Sequence, residues 1–140
     1  MCIRDRCIIA ENSINIESSK VINDSLLQNV IVQKKSLFQQ TLLLKNGEII
    51  DCNLFGSNSN LRRALIEFED NTFFVAESSR NVTITEFQKA LKEIGAMDAI
   101  NLDMGSWSEG WYKNFDGSIK IGENFLNTHR QTNWIIYSNQ

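Results

Sequence analysis

Proline is absent from this chain, although a sequence of 140 residues carries about seven on average; no local rule in the sequence accounts for it. Histidine occurs once, as His129, which excludes multi-histidine metal sites such as the zinc-protease motif. The three cysteines, Cys2, Cys7 and Cys52, have no metal-ligand spacing. Their odd number argues against a disulfide framework, and Cys7 and Cys52 fit buried strand positions better. No apolar run reaches the length needed to span a bilayer as a helix, so no transmembrane segment is expected. Charge of one sign is also missing. The net charge is −3 with no basic stripe, which makes nucleic acid a poor partner. Neither a metal site nor a cofactor follows from these residues.

What is present suits one folded domain. The chain is 42% hydrophobic and 22% charged, a globular balance, and long enough to bury a real core. Strand-like stretches outnumber helical ones. The expected class is α+β, with a mostly antiparallel sheet, two helices and one helical crossover joining strands near 72–77 and 99–103.

The most informative run is Gly95-Ala96-Met97-Asp98-Ala99-Ile100-Asn101-Leu102-Asp103-Met104-Gly105-Ser106. Gly95 suits a positive φ that ends a helix. Ala99, Ile100 and Leu102 form an apolar strand. Alternation puts Asn101 and Asp103 on one face and Ile100 and Leu102 on the other. Gly105 and Ser106 then let backbone approach a ligand closely. Two readings of Asp103 stand side by side: a corner residue bonding its own turn, or the carboxylate of a site. Upstream, Thr83-Ile84-Thr85-Glu86 spells a capping box. Ile84, Phe87, Leu91 and Ile94 make one apolar helical stripe over 84–94. Thr72-Phe73-Phe74-Val75-Ala76-Glu77 precedes it and is rich in strand formers. A helical crossover lets the strands at 72–77 and 99–103 lie parallel, as neighbours or near-neighbours. Their C-terminal ends then share one edge, which gathers Glu77, Ser78, Ser79 and Arg80 with residues 103–109. Ligands favour that edge.

Elsewhere, residues 7–9 and 14–16 read as a hairpin. Ser18 and Ser19 are candidate N-caps of a helix carrying Val21, Ile22, Leu26 and Leu27. Residues 37–44 and 48–53 flank Asn46-Gly47, the strongest hairpin signal in the chain. Residues 63–69 alternate, with Ala64, Ile66 and Phe68 on one face, and meet 72–77 across Asp70-Asn71. The stretch after Asp103, with Trp107, Glu109, Gly110, Trp111 and Tyr112, reads as a loop. Asp116-Gly117 turns again, and 134–137 reads as a terminal strand.

The order of these pieces resembles the phosphodiester glycosidase domain family, the uncovering-enzyme-like family that includes N-acetylglucosamine-1-phosphodiester α-N-acetylglucosaminidase. Arg63-Ala64-Leu65, Phe74-Val75-Ala76, Val82-Thr83-Ile84 with Phe87, Leu91 and Gly95-Ala96, and Ala99-Ile100-Asn101-Leu102-Asp103 carry the likeness. Arg130-Gln131-Thr132-Asn133 resembles the family's last element, one residue shorter. The likeness covers roughly 36–137. Departures are plain: Asp103-Met104-Gly105-Ser106 stands where the family has three glycines and a serine, and Glu77-Ser78-Ser79-Arg80 where Asp-Gly-Arg is common. The form is similar to a bacterial branch. Residues 1–6 resemble a translated adapter remnant of metagenomic reading frames, a non-native leader expected to pack against nothing. On that reading 7–140 is the C-terminal part of the domain, a fragment expected to be inactive alone.

The resemblance implies a hydrolase acting on a glycosidic bond whose leaving group is a phosphate ester, with a small-molecule or glycan phosphodiester as substrate. It also implies a periplasmic or extracellular location. Such a bond needs a carboxylate to direct water or stabilise an oxocarbenium-like transition state, and cationic or N–H groups at the departing phosphate. Asp103 is the first choice for the carboxylate, with Glu109 and Glu77 in reserve. Arg63 and Arg80 are candidates for the phosphate, against structural pairing with carboxylates such as Glu67 or Asp103. Gly105 and Ser106 offer backbone donors, and Asn101 and Asn133 sugar contacts. Trp107, Trp111 and Tyr112 are a stacking wall or loop packing. His129 is an acid–base or a structural residue. The alternatives to an enzyme are a non-catalytic carbohydrate-binding or cell-envelope module, or a structural interaction domain.

Overall fold

The computed structural model describes residues 5–10, 13–18, 23–51, 58–102 and 110–121. The chain divides into two compact units, 1–103 and 104–140. In the first, β1 (Asp5–Ala10) pairs with β2 (Ser13–Glu17) and with β3 (Ser36–Gln40), giving a three-stranded sheet ordered β2-β1-β3. A five-stranded sheet follows from β4 (Leu42–Lys45), β5 (Glu48–Ile49), β6 (Arg63–Glu67), β7 (Phe73–Glu77) and β8 (Asp98–Leu102), ordered β5-β4-β8-β6-β7. The helices are α1 (Asp24–Val32) and α2 (Ile84–Glu93). In the second unit β9 (Gly110–Asn114) and β10 (Gly117–Ile121) form a hairpin, with Lys120 5.0 Å from the ring of the exposed Trp111. All described strand pairs are antiparallel, so the expected α+β class with a mostly antiparallel sheet holds.

The core is built on the two faces of the five-stranded sheet. Ile84, Phe87 and Leu91 of α2 pack with Leu43, Leu44, Ala64, Ile66 and Ala99 on one face. Cys7 and Ile16 of the smaller sheet pack with Leu42, Leu65 and Ile100 on the other. Burial pushes the Cys7 thiol up to about 12, helped by the charge of Glu67, so it is an inert core residue. A bulge in β4 sets Leu42 opposite Ile100 but Leu44 opposite Ala99. The inserted Leu43 and its neighbour Leu44 thereby both join the helix-side core. The carbonyl of Leu43 accepts from the Ile50 N–H at 3.0 Å and from Gln88 Nε2 at 3.0 Å. The buried Gln88 also donates to the Ile50 carbonyl at 2.7 Å, tying α2 to the sheet.

Several local expectations hold. Thr83 caps α2 in a full capping box with Glu86. Asn46 and Gly47 turn the β4–β5 hairpin at positive φ, 52° and 76°. Gly95, at φ 87°, ends α2. Asn71 turns the β6–β7 hairpin at φ 59°.

Others are corrected. Residues 37–44 are two strands in different sheets, because the chain crosses from one sheet to the other at the buried Thr41. The N-cap of α1 is Asn23, whose side chain accepts from the Leu26 N–H at 2.9 Å, rather than Ser18 or Ser19. Val21 and Ile22 lie outside the described residues. Ile94 is 56% exposed, because it is the C-cap of α2 and Ala96 takes the core position beyond the turn. Residues 110–114 are a strand, since the hairpin turn before Gly117 gives them a partner. Asp5 and Arg6 do not stand apart from the fold: their backbones pair with Gln40 and Gln39, and Arg6 also with Glu17. Ladder bonds use main-chain groups common to all residues, so side chains without periodicity still extend a strand. Residues 1–4, Cys52 and 134–137 lie outside the described residues.

At the end of the sheet where β8 begins, Lys45 Nζ lies 2.6 Å from Asp98 Oδ2 and donates to the Ile16 carbonyl at 2.7 Å. Glu67 sits directly opposite Asp98 in the β6–β8 register. Burial, then the charge of Asp98, holds the Glu67 carboxyl above the usual carboxylate range, with Lys45 opposing and Glu17 adding to the rise. A carboxyl raised in the folded state contributes stability below its unfolded pKa and loses it as pH rises through the folded value. Glu67→Gln is therefore expected to raise the melting temperature at neutral pH and leave it unchanged in acid. Thermal melts from about pH 4 to pH 8 check this.

Candidate functional site

The candidate site starts from the order of strands. β7 and β8 both run antiparallel to β6, which lies between them, so they are parallel near-neighbours. Their C-terminal ends meet at one edge, as the crossover through α2 requires. The register is explicit: Arg63, the first residue of β6, faces Glu77 on one side and Leu102 on the other. The chain leaves β8 one residue before Asp103.

Arg63 and Glu77 are brought together. Arg63 Nε donates to Glu77 Oε2 at 2.7 Å, and Nη2 of the same guanidinium pairs with the same oxygen. The side chain of Arg63 is 11% exposed and that of Glu77 25%, so solvent screens the pair only in part. The strand-end carboxylate that Arg63 takes is thus Glu77, its directly opposite neighbour, and not Glu67, which lies at the far end of the same strand. Cross-strand register, not separation in sequence, chooses the partner.

Asn101 is placed differently. It faces Ala64 across the β6–β8 ladder, is 7% exposed, and its backbone N–H donates to the Thr41 carbonyl at 2.8 Å. Ala64 belongs to the core beneath α2, whereas Leu65 belongs to the core beneath the smaller sheet. Asn101 is therefore on the helix face and Arg63 and Glu77 on the opposite face, by strand alternation. Arg80 lies past the end of β7, is exposed, and helps with Lys89 to lower the Glu86 carboxyl after the stronger hydrogen bonds from Thr83. Asp103, Gly105, Ser106, Trp107, Glu109, His129 and Asn133 lie outside the described residues.

Arg62 was not among the sequence candidates. It is 8% exposed, and burial lowers its pKa from the ordinary arginine value. Its Nη2 donates to the Asn58 carbonyl at 2.8 Å and its Nε to the Val82 carbonyl at 3.3 Å. Its backbone N–H donates to Ser78 Oγ at 2.8 Å, while the Ser78 N–H returns to the Arg62 carbonyl at 2.9 Å. These bonds tie the entry of β6, the exit of β7 and the approach to α2 into one corner, also bridged at Asn60 and Val82. A buried arginine bonded to loop carbonyls has no periodic signature, and only its position before Arg63 marks it.

The edge thus carries a half-buried cation held by a carboxylate, beside the exit of a buried strand. That arrangement fits recognition of an anionic ester group. Among the described residues no group of three or more His, Cys, Asp and Glu is placed to hold a metal ion, and no helix is long and apolar enough to cross a membrane. No curated protein matches the chain. The profile of the phosphodiester glycosidase family matches residues 6–137, nearly the whole length and both units. The chain belongs to the phosphodiester glycosidase family.

Proposed function

We propose that this domain hydrolyses a glycosidic bond to a phosphate ester, with Asp103 acting on the sugar and Arg63 on the phosphate. Water attacks the anomeric carbon, the bond from that carbon to the phosphate oxygen breaks, and the phosphate monoester leaves with the electron pair. One proton of the water is released. Asp103 directs the water or stabilises positive charge on the sugar. Arg63 meets the negative charge that grows on the leaving phosphate, and Glu77 orients its guanidinium. A phosphate ester is a good leaving group, so a strong general acid matters less here than in other glycosidases.

The observation that carries this reading is the register at the shared edge, where Arg63 faces both Glu77 and Leu102, the residue before Asp103. The same register favours Arg63 over Arg80, which follows the outer strand of the sheet. The test is incubation of the intact protein with an α-N-acetylglucosaminyl phosphodiester, following free sugar and phosphate monoester. Release of both supports the reading. Binding without release of either would favour a carbohydrate-binding module instead. Arg63→Met is expected to lower kcat/KM about ten- to a hundredfold, the worth of one charge-assisted contact. Unchanged turnover in a folded Arg63→Met protein removes Arg63 from the phosphate side.

A further inference from the structure

We propose that the outer strand β7 pairs antiparallel with β7 of a second copy, making one continuous sheet across a two-fold axis at Val75. The inference is independent of the proposed reaction. Among the described residues β7 is the last strand of the five-stranded sheet. Strand edges are normally protected by lysine, proline or a bulge. Residues 73–76 are Phe-Phe-Val-Ala, and the β6–β7 ladder runs without a break. Phe74 is 56% exposed and Val75 52%, on opposite faces of the strand, and Ile94 beside them is 56% exposed. Phe74 and Ile94 also line an open groove with Phe68, whose ring meets that of Phe74 edge-on at 5.7 Å.

The backbone has the phase that such pairing needs. The Phe68 N–H donates to the Thr72 carbonyl and the Ser78 N–H to the Arg62 carbonyl, so the even-numbered residues of this segment turn their main-chain groups toward β6. Alternation turns those of Phe73, Val75 and Glu77 outward. An axis at Val75 makes Val75 face its own copy as a hydrogen-bonded pair, and Phe73 face Glu77. Phe74 then lies against the small Ala76. Charge selects this register. At each end Arg80 of one copy comes opposite the turn carrying Asp70 of the other, cation against anion. Hydrogen bonds from Thr72 keep the Asp70 carboxyl below the usual range, so it is ionised there. A two-fold contact of this kind closes on itself and leaves no further β7 edge open.

Sedimentation of the whole chain tests this. Wild type is expected to reach twice the 16.0 kDa chain mass as concentration rises, and to dissociate more readily at high salt. Val75→Pro removes an outward N–H, which an edge strand tolerates, and Val75→Lys sets two like charges together on the axis. Both variants are expected to remain at monomer mass with an unchanged circular dichroism spectrum. If the proline variant fails to fold, the lysine variant decides alone. A wild type that stays monomeric at its highest soluble concentration overturns the proposal. So does a folded Val75→Lys protein that still dimerises, or open-ended association in place of a dimer.

Discussion

Asp103→Asn in the intact protein is expected to lower kcat for hydrolysis of an α-glycosyl phosphodiester about a thousandfold, the scale lost with a positioned acid–base group. The substitution is nearly isosteric and removes only the charge. Asp103 follows β8, a strand whose Ala99 and Ile100 are fully buried. Arg63 lies beside Leu102, the last residue of β8, and Glu77 lies one strand further out. On the proposed reaction, the Asp103 carboxylate meets positive charge on the sugar while Arg63 meets negative charge on the phosphate. An amide in its place supplies neither charge nor basicity. KM is expected to change less than kcat, because the carboxylate acts where charge develops in the transition state. Turnover by the folded variant at the wild-type rate would take Asp103 out of the mechanism and move the role to Glu109. A variant that loses its cooperative melt would assign Asp103 to the corner of the fold.

Much of the first unit is legible because its signals are local. Asn46-Gly47 requires positive φ at two successive residues, and few sequences permit that. Thr83 and Glu86 satisfy each other's backbone groups across one helical turn, so four residues suffice to place the start of α2. The parallel relation of β7 and β8 follows from a helix long enough to return the chain. What stayed hidden depends on partners distant in sequence. The Leu43 bulge is visible only against β8, and the burial of Gln88 only against the carbonyls of Leu43 and Ile50. The run 37–44 reads as one strand because its apolar residues are continuous; the break at Thr41 comes from two sheets competing for it.

The candidate site divides along the same line. The shared edge was readable, since it needs only strand direction. The partner of Arg63 was not, because cross-strand register sets it and many carboxylates lie within reach of an arginine on paper. Asn101 and Asp103 were expected to share a face. For Asn101 the ladder fixes that face as the helix side, away from Arg63, whereas Asp103 lies beyond the ladder and outside the described residues. A sugar contact by Asn101 would therefore need the substrate to wrap the sheet edge.

Asp98→Ala is expected to cost about 3 kcal/mol, the largest single loss of stability among the polar residues of the first unit. The Asp98 side chain is 9% exposed and accepts two bonds at once, from Lys45 Nζ at 2.6 Å and from the Asn46 N–H at 2.8 Å. The first anchors a lysine that also reaches the Ile16 carbonyl on the smaller sheet. The second holds the turn of the β4–β5 hairpin, where Asn46 already takes a positive φ. Alanine leaves Lys45 with a desolvated charge and strips one acceptor from the turn. Lys45 is 26% exposed, so some water reaches it, which places the loss toward the lower end for a buried pair. Two further variants separate these effects. Asp98→Asn keeps an acceptor for the Asn46 N–H and removes the charge, and it is expected to cost less than alanine. Adding Lys45→Met to Asp98→Ala removes the stranded cation and is expected to recover part of the loss. Urea unfolding of wild type, Asp98→Ala, Lys45→Met and the double variant measures this as a cycle, with Asp98→Asn alongside. Equal costs for the alanine and asparagine variants, with no recovery in the double variant, would show that the Lys45–Asp98 pair does not hold the two sheets together.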